Sequence, residues 1–91
     1  MKVTYDPLKN QRNIIGRGLS FELVTDLDWT TAQYFVDTRY DYPENRYIAY
    51  GQLAQRLHVV VFTEVEVGIR VISFRKANTR EVKRYEQATT D

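Results

Sequence analysis

The chain has 91 residues, 43% of them hydrophobic, with 13 basic and 12 acidic side chains and a net charge of +1. That length closes one small core and leaves no room for two, so residues 1–91 are expected to form a single domain. The absence of cysteine excludes disulfides, thiolate nucleophiles and thiolate zinc sites, and a pI near 8.0 argues against general nucleic-acid coating while leaving room for a local phosphate site.

Val3-Thr4-Tyr5 is a short strand candidate. Asp6-Pro7 then signals a helix start, a capping carboxylate followed by proline at the first helical position. The first helix is expected over Pro7 to Ile15, with Gly16 and Gly18 as its stop. Ser20 can cap a second short helix in which Phe21, Val24 and Leu27 recur at helical spacing. From Thr30 onward the texture changes to short apolar or alternating runs. Strands are expected at Ala32 to Val36, Tyr47 to Gln52, Leu57 to Glu64 and Ile69 to Phe74, joined by links short enough to favour antiparallel neighbours in a meander. Leu57 to Phe62 is apolar on both faces except for His58 and reads as a central strand covered by helices on one side. Along the last strand, strict alternation would set Ile69, Val71 and Ser73 on one face and Arg70, Ile72 and Phe74 on the other.

Asn78 can cap a final helix from Thr79 to about Ala88, with Glu81 as its capping-box partner and Val82, Tyr85 and Ala88 on one face. The tail Ala88 to Asp91 is expected to fray. The fold class is therefore α+β, a small antiparallel sheet packed by helices in the order β-α-α-β-β-β-β-α. The longest apolar run, Val59 to Phe62, is too short to span a bilayer, and no secretory hydrophobic region opens the sequence. A cytoplasmic protein without membrane contact is the expectation.

Nucleophile chemistry finds little support. His58 is the only histidine and sits in the most apolar strand, which suits a structural or interface residue. Asp37, Asp41 and Glu44 share one loop without a histidine and without calcium-loop spacing, so no metal site or cofactor is expected. The last quarter of the chain is different, because Arg70, Arg75, Lys76, Arg80, Lys83 and Arg84 are opposed there by Glu81 alone. Guanidinium groups bind phosphate oxygens bidentately and stabilise charge building on a pentacoordinate phosphorus. RNA carries its own nucleophile in the 2′-hydroxyl. Arg46, Arg75 and Arg80 with Tyr85 could therefore serve an RNA phosphate, with Glu81 or a shifted Lys9 taking a proton and Tyr85 assisting the leaving oxygen. The competing reading makes these solvated helix charges, with Glu81 capping its helix and Tyr85 packed in the core.

Taken in order, Tyr5-Asp6-Pro7 with Lys9 and Asn13, Gly18-x-Ser20-Phe21, Asp37-Thr38-Arg39, Glu44-Asn45-Arg46 with Gly51, Val59 to Thr63, Arg70 to Ser73 with Arg75-Lys76-Ala77, Glu81 and Tyr85 resemble the BrnT ribonuclease toxins of bacterial type II toxin–antitoxin pairs, whose fold is similar to the RelE toxins. The resemblance implies a metal-independent endoribonuclease that inhibits translation. It implies a BrnA-like antitoxin that silences the toxin, contacts DNA on behalf of the pair and dimerises it into a heterotetramer. By this resemblance Arg46, Arg75, Glu81 and Tyr85 are catalytic, while Lys9, Arg17, Arg70 and Arg80 hold RNA. Two places depart from the pattern: Gly16-Arg17-Gly18 stands where members carry Lys-His-Gly, and Val65 stands where an arginine commonly follows Phe-Thr. These departures favour an alternative, a catalytically degenerate module that retains only antitoxin or nucleic-acid binding. For the antitoxin contact, the aromatic region from Tyr34 to Tyr50 is the candidate.

Overall fold

In the computed structural model, which describes residues 1–90, Asp6 opens helix α1 (Pro7–Arg17) by accepting the Leu8 N–H on its carboxylate at 2.9 Å. The helix runs two residues beyond the expected end. Gly16 lies inside its last turn, and Gly18 alone stops it, at φ +70°, where its N–H reaches the Ile14 carbonyl at 2.8 Å. A left-handed residue is needed to turn the chain at that point, and glycine adopts it without a Cβ clash. Ser20 caps the next segment, whose Phe21–Asp26 is a 3₁₀ helix. Side chains three apart eclipse in that geometry, so Phe21 and Val24, followed by Leu27, present one buried ridge.

The strands are β1 (Lys2–Tyr5), β2 (Gln33–Val36), β3 (Arg46–Leu53), β4 (Arg56–Val65) and β5 (Gly68–Lys76), and helix α2 (Thr79–Thr90) follows. They form one sheet in the order β1-β5-β4-β3-β2. The expected meander accounts for β2 to β5, all antiparallel neighbours, whereas β1 pairs with β5 in parallel. That pairing needs Gly68, because a Cβ there would meet the Lys2 carbonyl oxygen at 2.0 Å. Beyond Val71 the outer side of β5 is closed by α1, whose buried Asn13 donates to the Phe74 and Leu19 carbonyls at 2.9 and 3.0 Å. A sheet edge that would otherwise invite another strand is thus covered.

β4 is central, as its apolar run predicted, but it is buried on both faces rather than one. On the first face Ala49, Val60, Phe62, Val71 and Phe74 pack on Leu19, Phe21, Val24 and Leu27. On the second, Leu57 and Val59 pack with Ala77 and Tyr85 beneath α2. His58 belongs to the first face. It is buried, its ring stacks on Phe74 at 5.3 Å, and Nδ1 lies 2.7 Å from the Arg56 carbonyl, consistent with the structural role expected of it. α2 continues through Thr90, two residues past its expected end near Ala88; Asp91 lies outside the described residues.

The alternation expected along the last strand fails at one residue. Val61 faces Ser73 but Phe62 faces Val71, which makes Ile72 the extra residue of a β-bulge. Ile69, Val71 and Phe74 consequently share the core face, and Arg70, Ser73 and Arg75 share the opposite one.

Candidate functional site

The register of four strands sets a row of side chains across that second face. Arg46 on β3 lies opposite Thr63 on β4, Thr63 opposite Arg70 on β5, and Arg70 beside Thr4 on β1. Lys9 of α1, with Asp6 and Glu44, joins Arg46, Thr63 and Arg70 around a polar hollow of about 270 Å³. Arg75 stands farther along the same face, opposite Val59.

The Arg46 guanidinium is aimed from below and from the side. It sits 4.2 Å over the centre of the Tyr42 ring, and its Nε donates to Glu44 at 3.0 Å. The loop carrying both partners is organised by Asp37, whose buried carboxylate accepts from Arg39 through the backbone N–H, Nε and an Nη, and from the Tyr42 hydroxyl. The Arg39 contacts hold that carboxyl far below the ordinary carboxylate range. Asp37 N–H also donates to the Arg46 carbonyl at 2.7 Å. This hub escaped sequence reading, since its residues lie in a loop without periodicity.

Arg75 and Glu81 form a bidentate ion pair, with N–O distances of 2.8 and 2.9 Å. The same carboxylate accepts the Asn78 N–H at 2.9 Å while Asn78 Oδ1 accepts the Glu81 N–H, completing the expected capping box. Glu81 is buried, and its pKa is lowered chiefly by the Arg75 hydrogen bonds. Tyr85 is buried in the cluster beneath α2, donating its hydroxyl to the Thr31 carbonyl at 3.0 Å and accepting from Gln33 on its own carbonyl. Both side chains thus have the packing roles of the competing reading.

Of the remaining cations, Arg17 and Lys9 border a shared hollow between α1 and β5 that Ser73 also lines, with Arg17 donating to Asn13 at 2.9 Å. Arg80 lies apart, on the outer side of α2 beside Lys83 and Arg84. Among the described residues no three His, Asp or Glu side chains converge as a metal-binding set, and no helix is long and apolar enough to cross a membrane.

The family model for "ribonuclease toxin, BrnT, of type II toxin–antitoxin system" matches residues 5–81. The chain belongs to the BrnT family. The matched stretch starts at the end of β1 and ends at Glu81, so it takes in the arginine row and the Arg75–Glu81 pair and leaves Tyr85 beyond it. No curated protein matches the chain. Membership brings an antitoxin partner with it, since BrnT toxins belong to type II toxin–antitoxin systems. It also gives the two departures an address. Arg17 stands at the hollow shared with Lys9, and Val65 lies two residues past Thr63 on β4, facing the same side as the arginine row.

Proposed function

We propose that this BrnT chain is a metal-independent endoribonuclease that inhibits translation in the cytoplasm by cutting RNA and is neutralised by a BrnA-like antitoxin, which dimerises the pair and supplies its DNA contact. The observation that carries this reading is the placement of Arg46, Arg70 and Arg75 on one sheet face. Arg46 and Arg75 clamp the scissile phosphate, and Lys9, Arg17 and Arg70 track the backbone on either side. The substrate's 2′-oxygen attacks phosphorus, the bond to the 5′-oxygen breaks, and a 2′,3′-cyclic phosphate remains. The guanidinium groups stabilise the charge that builds on the non-bridging oxygens. Glu81 serves here by aiming Arg75, because a carboxylate already bound at both oxygens is a weak base. Lys9, at the rim of the polar hollow, is spent as a cation on the backbone, so the 2′ proton passes to solvent, and solvent protonates the departing 5′-oxygen. Tyr85 holds α2 on the sheet.

The second reading, a degenerate module that binds without cutting, is favoured by Val65 and Gly16-Arg17-Gly18, which replace an arginine, a lysine and a histidine. Incubation of the purified chain with total RNA in excess chelator decides between them. Cleavage by the parent that is lost in Arg75→Ala and Arg46→Ala supports the ribonuclease. Intact RNA with folded parent protein supports the module.

A further inference from the structure

The open edge of the sheet carries a surface that the RNA site does not use. β2 ends the sheet with the sequence Gln33-Tyr34-Phe35-Val36, and it contains no charge and no proline, the usual devices that discourage pairing at an edge. Tyr34, Phe35 and Val36 are 51, 53 and 58% exposed although they alternate between the two faces of the sheet. Asp37 N–H donates to the Arg46 carbonyl, and the register steps back from there by two. Phe35 and Gln33 therefore spend their backbone groups on β3, while the N–H and carbonyl groups of Tyr34 and Val36 point outward.

Beside this edge, on the face bearing Arg75, lies a largely apolar hollow of about 430 Å³ between Phe35, Ile48 and Tyr50 of the sheet and Tyr85 and Ala88 of α2. Glu81 and Arg84 stand on its rim, so it adjoins the Arg75–Glu81 pair. Arg84 on its rim and the exposed Arg39 in the loop that follows β2 call for an occupant that carries carboxylates. A nucleobase would use the hollow but would leave the outward amides and the other face of β2 unaccounted for. A polypeptide strand uses all three.

We infer that an extended segment of the antitoxin, alternating apolar and acidic residues, adds to the sheet along β2 and seats its apolar side chains in the hollow between Phe35 and Ala88, with carboxylates on Arg84 and Arg39. The inference rests on the reading that a protein antitoxin silences this chain, and it supplies the means: the occupant lies against the pair that aims Arg75 and brings negative charge to a face built for phosphate. Strand addition gives affinity through main-chain bonds and specificity through alternate side-chain pockets.

NMR-detected hydrogen exchange on the intact chain, alone and with the antitoxin encoded beside it, tests the inference. In the complex the Tyr34 and Val36 amides exchange at least tenfold more slowly, while Phe35, already bonded to β3, changes little. Phe35→Asp and Ala88→Arg weaken the complex at least tenfold with circular dichroism unchanged. Should the complex form with Tyr34 and Val36 exchanging at their free rates, or no complex form, the inference is overturned. Protection that appears on concentrating the chain alone would assign the edge to a second copy. Protection by an RNA oligonucleotide alone would assign it to substrate. The RNA-cleavage assay is independent of these readouts: a chain that cuts nothing yet shows alternate protection keeps this interface and loses the ribonuclease reading.

Discussion

Arg70 and Arg75, an odd number of residues apart on one strand, face the same side of the sheet. Strict alternation would have set them on opposite faces, and Ile72, the extra residue of the bulge, reverses the phase between them. If both bind the RNA backbone, single Arg70→Ala and Arg75→Ala variants each make the salt dependence of RNA binding shallower by about 0.7 in the log–log slope. Arg75→Ala also lowers the cleavage rate about 10²-fold or more, as loss of a charge-stabilising donor does. Fluorescence-anisotropy titrations over a salt series, with cleavage rates in parallel, separate the two effects. Equal cleavage losses for both variants would contradict the distinct clamp assigned to Arg75.

Glu81 is expected to behave as a support. Glu81→Gln keeps a hydrogen-bonding side chain at the cap and lowers cleavage by less than about tenfold, whereas loss of a general base costs about 10²–10⁴-fold. Glu81→Ala also breaks the reciprocal cap with Asn78 and destabilises the fold by about 1 kcal/mol. Rates at saturating RNA and urea unfolding midpoints measure the pair of outcomes. A cleavage loss in Glu81→Gln as large as that of Arg75→Ala would return the base role to this carboxylate.

Gly16 offers a gain. It sits in the last turn of α1 at negative φ, and a Cβ built there meets nothing within 4 Å. Gly16→Lys should therefore stabilise the chain by about 0.5–1 kcal/mol, the helical cost of glycine. It also restores a cation to the hollow lined by Lys9 and Arg17 and tightens RNA binding at low salt. Chemical denaturation and binding at two salt concentrations test both halves.

Acid should weaken the fold in two stages. Burial holds the His58 pKa below its ordinary 6.5, so below that pH the unfolded chain takes up a proton that the folded chain resists, and stability falls until the lower folded-state pKa is passed. Asp37 and Glu81, both lowered by arginine partners, keep their contribution until pH drops below the ordinary carboxylate values. In melting curves from pH 7.5 to 3, His58→Phe should lose the upper stage and keep the lower. An unchanged upper stage in that variant would acquit the imidazole.

The turn between β3 and β4 stores strain. Ala54 and Gln55 occupy it at φ +50° and +64°, left-handed values that cost a side-chain-bearing residue about 1–2 kcal/mol. Gln55→Gly is expected to raise the unfolding free energy by about 1 kcal/mol without touching RNA cleavage, measured by urea titration and the cleavage assay.

That turn also marks where sequence stops being legible. Asp6-Pro7, Ser20 and the Asn78–Glu81 box were readable because a cap is satisfied by atoms two or three residues away, and each formed as expected. Ala54-Gln55 carries no Asn-Gly signal, since the left-handed pair is imposed by the long β3–β4 ladder rather than invited by its own residues. The bulge at Ile72 and the parallel pairing of β1 with β5 are likewise set by distant strands. The arginines were visible as a charge bias, but their common face required the bulge. The Asp37 hub, which aims Arg46 through Tyr42, depends on loop contacts that no period encodes.

The pairing of Lys2 with Gly68 gives this chain a long wait during its own synthesis. β1 finds no sheet to join until β5 has left the ribosome, and the β3 to β5 ladder that aligns Arg46 with Arg70 closes at the same late moment. A growing chain therefore carries its cations unassembled until β5 emerges. The phosphate face comes into being only once β5 has emerged, when a partner already present can meet it.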